Sequence, residues 1–472
     1  MKPRLIVVIA AALLARAEVT YKIQLYGKVI ELPAERYVAG VLVGESSVFQ
    51  SDEAVKAMAV AARTYAARMR GRHASEGFDF CSTTHCQRLD LAAIGERVTN
   101  AANATQGELL WFEGRPAFSV YSRDCGGHTE DVRAVWADVE APYLRAQNDP
   151  YCKRAPWSWI VRPQDLVRAL RASKLNVPDD LVSITILERT SSGRAKTLAL
   201  VGKGRTVPIA AGSFRFAVGR ELGWNKLRSE QYEIRQLVFR GTGQGHGVGL
   251  CQQGADAMGT RGKSYREILA SYYPGTQVSR TATGLKWLRL GGEGVNVWTV
   301  RPERDRKILA QAERLRRSVA AQLSWPPRSG WEIYVYPDVD TFRNATGEPG
   351  WVAAHSSGLR IDMQPQASLR HEMLHGMVEN RAARGLPLWF REGVVAWLDR
   401  PGEIRAGESR DEIGIEQRQD RERAQRAYGA AKARVARLVA HYGEAAVLTW
   451  LERGLPDEVK NSSASTAATN SK

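Results

Sequence analysis

His371 and His375 stand four positions apart, with Glu372 directly after the first. On a helix, positions i and i+4 share a face, so the two imidazoles could hold one metal ion together. Leu369, Met373, Leu374 and Met377 supply the apolar positions such a helix needs. Glu372 would then point at water on the metal and serve as its general base. H-E-x-x-H alone is only moderately specific. The string Leu386-Pro387-Leu388-Trp389-Phe390-Arg391-Glu392-Gly393 sharpens it, because Glu392 comes seventeen positions after His375 at the start of another apolar helix. A carboxylate from the next helix would be a third ligand, and zinc accepts this mixture of imidazole and carboxylate.

A second soft-ligand group is Cys81, His85 and Cys86. Zinc suits it, with a fourth ligand drawn from Cys125, His128 or Cys152. Two disulfides, Cys81–Cys86 and Cys125–Cys152, are the alternative in an oxidising compartment. The residues leave both open, and Cys251 is odd in either case.

Several elements must position these groups. Val55, Met58, Ala59, Ala62, Ala66 and Met69 recur at helical spacing behind Ser51, Asp52 and Glu53, which predicts a helix over 51–72 with Ser51 as N-cap. Arg63 and Tyr65 fall in its middle. Short β-like runs such as Tyr21-Lys22-Ile23-Gln24-Leu25 dominate 18–278, whereas Arg- and Ala-rich helices dominate 295–455. Strands are expected at Glu332-Ile333-Tyr334-Val335-Tyr336 and Leu359-Arg360-Ile361-Asp362, leading into the H-E-x-x-H helix. The string Gly243-Gln244-Gly245-His246-Gly247-Val248-Gly249 reads as a tight backbone turn that presents His246, since a lone Gly-rich loop is weak evidence for a dinucleotide site.

A chain of 472 residues is too long for one ordinary domain. With 44% hydrophobic and 25% charged residues it is neither a multi-span membrane protein nor wholly disordered. Lys2 and Arg4, the apolar run 5–14 and Ala15-Arg16-Ala17 have the parts of a signal peptide over 1–17, and no later stretch could span a bilayer. The expected order is therefore signal peptide 1–17, first module 18–278, linker 279–294, second module 295–455 and disordered tail 456–472. The net charge of +16 is spread along the chain instead of lying on one stripe. It suits an anionic polymer or surface and gives no reason to expect nucleic acid.

Six strings occur in order between Tyr21 and Val278: Gly44-Glu45; Ala59-Val60-Ala61-Ala62-Arg63-Thr64-Tyr65-Ala66; Cys81-Ser82-Thr83-Thr84-His85-Cys86-Gln87; Cys125-Gly126-Gly127-His128-Thr129; Gly245-His246-Gly247-Val248-Gly249-Leu250-Cys251-Gln252-Gln253-Gly254-Ala255; and Tyr272-Tyr273-Pro274-Gly275-Thr276. Together they resemble the SpoIID/LytB family of cell-wall proteins. The resemblance implies a lytic transglycosylase that cuts peptidoglycan glycan strands to 1,6-anhydro ends, with Glu45 as both acid and base. Ser46-Ser47 departs from the Met-Pro usual there. The resemblance also implies glycan contacts from Arg63, Tyr65, His128 and His246, a zinc ion near Cys81, His85 and Cys86, and a buried free thiol at Cys251, where Ser is common. The second module resembles the peptidase MA-like gluzincins, which implies ligands His371, His375 and Glu392 and the base Glu372. The whole is thus expected to be an exported α+β protein of two modules, in the periplasm or cell wall. Its partners would be glycan strands and wall peptides or wall proteins. The alternative is a glycan-binding module that activates an amidase or targets the peptidase.

Overall fold

The computed structural model describes residues 19–45, 49–348, 351–379, 381–401 and 421–461. The expected signal peptide, Ser46 and Ser47 lie outside the described residues. The chain divides into two compact units, Met1–Gly284 and Leu285–Lys472, and both mix helices with strands. No helix among the described residues is long and apolar enough to cross a membrane.

Helix Asp52–Met69 forms the centre of the first unit. Alanines occupy so many of its positions that Ala54, Ala57, Ala59, Ala61, Ala62 and Ala66 are all fully enclosed. A helix apolar on nearly every face must be covered on every face. Ser51 starts it as expected, but its hydroxyl makes no cap bond; its backbone amide donates to Asp256 Oδ1 at 2.9 Å. Ahead of it runs helix Ala34–Glu45, which ends at Glu45 itself. Strand Thr20–Leu25 pairs antiparallel with Lys28–Pro33 and parallel with Phe80–Cys81, which sets Cys81 opposite Gln24. Leu250–Cys251 pairs in parallel with Tyr121–Ser122 and ties the glycine string to the centre of the unit. Trp157, Trp159, Phe214 and Phe239 pack in a separate apolar cluster between small antiparallel sheets. They fill core space.

The second unit carries a five-stranded sheet in the order Leu288–Gly292, Val295–Thr299, Trp331–Val335, Arg360–Met363, Ala354–Ser357. The three central strands are parallel and both edge strands antiparallel. Helix Leu369–Glu379 packs so closely on this sheet that a Cβ at Gly376 would stand 2.6 Å from the Trp331 ring. Two expectations need correction here. The expected linker 279–294 contains edge strand Leu288–Gly292, whose half-exposed residues give little apolar signal. The expected tail begins with ordered chain, because Leu455 and Val459 are buried in the unit's core and residues stay helical to Asn461.

Candidate active site

Glu45 is placed by a close approach of two backbones. A Cβ at Gly44 would lie 2.2 Å from the Arg88 carbonyl oxygen, and one at Gly40 would lie 3.3 Å from that of Asp90. Helix Ala34–Glu45 therefore seats its glycines against 88–91, and the Arg88 amide donates to Glu45 Oε1 at 3.1 Å. The Gln252 side chain also hydrogen-bonds the carboxylate. Burial raises the Glu45 pKa, and the donors from Arg88 and Gln252, with the more distant charges of Arg88 and Arg123, only partly offset it. Both arginines have exposed side chains. Behind Glu45 lies a chain of hydroxyl and amide groups. Tyr37 Oη donates to Gln87 Oε1 at 3.0 Å, and Gln87 Nε2 donates to Tyr121 Oη at 3.0 Å.

The glycine string turns tightly, as the sequence suggests, and folds back against 120–126. Gly243, Gly245, Gly247 and Gly249 all have left-handed φ, and a Cβ at Gly249 would meet the Val120 carbonyl at 2.0 Å. Only glycine fits both demands. The turn holds His246 edge-on to Trp136, and the Val248 amide donates to its Nδ1 at 3.0 Å. Burial, with Arg215 and Arg194 nearby, pushes the imidazole down to about 3. That environment favours the neutral ring over the charged one. His128 is half-buried, with Nδ1 2.9 Å from the Thr129 carbonyl.

Two residues expected to contact glycan are engaged with partners inside the protein. Arg63 is buried, donates through Nε to Glu35 Oε1 at 2.9 Å, and also binds the carbonyls of Ala102 and Glu108. Tyr65 is buried as well, and its hydroxyl accepts from Arg72 at 3.3 Å. Arg63 lies deep against the enclosed helix, whereas the Tyr65 hydroxyl meets the exposed side chain of Arg72. Position on the helix was legible, but enclosure depends on what packs around it.

Cys81, His85 and Cys86 do come together, and their fourth companion is His73. Cys125, His128 and Cys152, the expected candidates, are not part of this group. Cys86 Sγ lies 3.3 Å from His73 Nε2, and Cys81 Sγ 3.7 Å from His85 Nδ1. Tetrahedral zinc with two sulfurs and two nitrogens would space such atoms about 3.5 Å apart, so the donors fit. Burial works upward on Cys81, but hydrogen bonds from Thr83, His85 and Cys86 outweigh it and hold the thiol down to about 6. Cys86 is pushed up to about 12 by burial. His73 lies just eight residues before Cys81, a spacing that could have flagged it. None of the five cysteines forms a disulfide among the described residues. Cys251 is buried as expected, but it is not isolated: it clusters with Cys125, Cys152 and Asp149.

In the second unit, His371 Nε2 and His375 Nε2 are 3.2 Å apart, and His375 Nε2 is 3.3 Å from Glu392 Oε2. Ligand atoms about 2.0–2.1 Å from a tetrahedral zinc stand roughly 3.3 Å from one another, which both of these distances match. Helix Leu388–Asp399 supplies Glu392 and is clamped by Gly393, where a Cβ would be 2.6 Å from the Ala431 carbonyl. Asp399, at the end of the same helix, has Oδ2 3.6 Å from His371 Nδ1. This residue escaped the sequence reading, although Glu392 and Asp399 are seven apart and so share a helix face. Glu372 is hydrogen-bonded by Ser356 of edge strand Ala354–Ser357.

Residues 23–112 match the family model SpoIID, described as stage II sporulation protein. Stage II sporulation protein D of Bacillus amyloliquefaciens is 28% identical over 52% of this chain and 74% of its own length. An uncharacterized protein of Brachyspira hyodysenteriae is 33% identical over 52% of this chain and 67% of its own. An amidase enhancer of Bacillus subtilis is 26% identical over 51% of this chain and 40% of its own.

Proposed function

Since its N-terminal unit belongs to the SpoIID family, we propose that this chain is an exported lytic transglycosylase that cleaves peptidoglycan glycan strands, with Glu45 as acid and base. The observation that carries the proposal is the state of Glu45. Its carboxyl is raised by burial, and its nearest partners are neutral donors. An acid of that kind keeps its proton to higher pH than a free carboxyl and can still exist as a carboxylate one step later. In the first step the protonated Glu45 gives its proton to the glycosidic oxygen as the C1–O bond breaks. In the second, the sugar's own C6 hydroxyl attacks C1, and the Glu45 carboxylate takes the C6 hydroxyl proton. The product is a 1,6-anhydro sugar, no water is consumed, and Glu45 is protonated again. One carboxyl suffices, unlike the two of a hydrolytic glycosidase. Arg88 and Arg123 offer cations to the carboxylates of muramyl substrates. Mass spectrometry of purified peptidoglycan digested by wild type and Glu45→Gln tests the reading. Anhydro-muramyl products should form with wild type and vanish with the variant. If wild type gives none on either intact or peptide-stripped glycan, the role falls to glycan binding with amidase activation, the reading favoured by the amidase enhancer among the relatives.

The second unit supports a zinc peptidase of gluzincin type acting on wall peptides or wall proteins. The observation in favour is the pair of distances joining His371, His375 and Glu392. These three would hold the ion, which when bound would supply Lewis acidity and an activated water. Asp399 orients the His371 ring, Glu372 stands ready to receive a proton, and strand Ala354–Ser357 beside it is the edge of the sheet among the described residues. An extended peptide can add to such an edge. Comparing peptide products of wild type and Glu372→Ala tests it; identical product sets would reject the activity.

A further inference from the structure

The first unit contains a second cluster of soft donors, entirely enclosed. Cys125, Cys152, Cys251 and Asp149 are all buried, and one donor atom from each lies within 4.8 Å of the others. Three segments distant in sequence meet there. Asp149 Oδ1 accepts from the amides of Tyr151 and Cys152 at 3.0 and 3.2 Å. Its Oδ2 accepts from Tyr272 Oη at 2.9 Å and lies 3.2 Å from Cys125 Sγ. Cys251 Sγ receives the backbone amides of Cys125 at 3.3 Å and Gly254 at 3.4 Å. Cys152 Sγ is 2.9 Å from Asp124 Oδ1.

Three arrangements could explain three thiols in one pocket. Inert buried thiols are common, but here three of them and a buried carboxylate converge on one point. A disulfide would join two sulfurs and strand the third, and no pair is joined among the described residues. A metal ion uses all four donors at once. The amides aimed at Cys251 sulfur also suit a thiolate, which accepts hydrogen bonds, better than a thiol, which would donate. Asp149 has its second oxygen fixed by hydrogen bonds, as outer partners fix metal ligands.

We infer that Cys125, Cys152, Cys251 and Asp149 form a closed structural site for a thiophilic divalent cation, with zinc the best match to three sulfurs and one oxygen. The ion would staple the 125–128 turn, the 149–152 turn and the start of helix Gln252–Thr260 to one another. Gln252, the first residue of that helix, is the side chain that holds Glu45. The inference concerns folding and positioning, and it stands whether or not the transglycosylase reading does.

The test counts metal in the full chain. In a background carrying Cys81→Ser, Cys86→Ser, His371→Ala and His375→Ala, the other two candidate sites are disabled. Inductively coupled plasma mass spectrometry should still find about one equivalent of zinc per folded chain, and adding Cys251→Ser should remove it. A folded background chain without metal overturns the inference. Should the background fail to fold, the wild-type chain decides by alkylation and peptide mapping. Cys125, Cys152 and Cys251 should become alkylated faster once chelator is added. Unchanged rates with and without chelator, or a Cys125–Cys152 disulfide in the non-reduced map, overturn it equally.

Discussion

Substituting Gly44 by Ala tests whether Glu45 is held by backbone contact. The new methyl would come 2.2 Å from the Arg88 carbonyl oxygen and 2.8 Å from its carbon. Ordinary contact begins at 3.4 Å, so the 88–91 segment must retreat by about 1.2 Å to reach ordinary packing. Backbone cannot swing aside as the end of a lysine could. The Arg88 amide, now 3.1 Å from Glu45 Oε1, would move beyond hydrogen-bonding reach. Two energies compete in the fold. Alanine in place of a helical glycine gains about 0.5–1 kcal/mol, while overpacking costs about 1–3 kcal/mol. Overpacking wins, and the chain should lose roughly 1–2 kcal/mol yet remain folded.

The catalytic effect should be larger. A misplacement of about 1 Å can cost on the order of 10²-fold in rate. The pH dependence carries a separate signature. The Arg88 hydrogen bond lowers the Glu45 pKa against burial. Removing it should shift the alkaline limb of the rate profile to higher pH, because the acid keeps its proton longer. Anhydro-muropeptide release across pH, with circular dichroism to certify the fold, measures both effects. A folded Gly44→Ala chain with wild-type rate and an unmoved alkaline limb would refute the positioning argument.

Glu45→Gln should lower glycan cleavage by roughly 10²–10⁴-fold. It should also stabilise the fold at neutral pH: a carboxyl raised by burial gives stability that is full below its unfolded pKa and lost as pH rises through its folded one. The thermal midpoint of the variant should therefore exceed wild type at pH 8 and approach it at pH about 4. Arg63→Ala leaves Glu35 without its cation, with only the Gly107 amide remaining, and removes one donor each from Thr105, Glu108 and Ala102. Denaturant unfolding should show a loss of about 3 kcal/mol or more; a smaller loss with impaired glycan binding would restore Arg63 to the site. Asp399→Asn should weaken zinc affinity of the second unit by about 10–100-fold with little change in fold, read by competition with a zinc indicator.

What the sequence reveals and what it hides follow from how far each signal reaches. Helix Asp52–Met69 was legible because its period is local, and so was the pairing of His371 with His375, one helical turn apart. Strands Trp331–Val335 and Arg360–Met363 lie within a residue of expectation because both alternate polar and apolar residues. Helix Ala34–Glu45 was missed. Its glycines at 40 and 44 lower helix propensity, and their purpose shows only when 88–91 lies against them. Arg63 was read as a contact for substrate because nothing within its own helix shows that Glu35 and Ala102 enclose it. His73 was passed over for Cys125, His128 and Cys152 because a fourth ligand was sought in later segments, whereas strand pairing at Gln24 and Cys81 folds the nearby histidine in.

Two candidate site carboxylates, one a proposed acid and one a proposed metal ligand, adjoin a glycine on which a foreign carbonyl rests: Gly44 beside Glu45 beneath Arg88, and Gly393 beside Glu392 beneath Ala431. The shared device has a physical reason. A carboxylate fixed by a cation is spent, as Glu35 is on Arg63. One fixed by surrounding backbone can keep its oxygens for a proton or a metal. Close approach at glycine fixes where the acid sits without committing its charge, and the remaining weak donors tune it. For Glu45 those donors are the Arg88 amide and the Gln252 side chain. Arg88 lies two residues beyond Cys86, and Gln252 directly follows Cys251. Each hand on the acid therefore issues from one of the two soft-donor clusters of the first unit. Loosening either cluster should free one hand while the other holds, so perturbing the His73 cluster and the Cys251 cluster should each move the pH limb of glycan cleavage in the same direction, upward. A limb that responds to neither would mean that Gly40 and Gly44 alone position the acid.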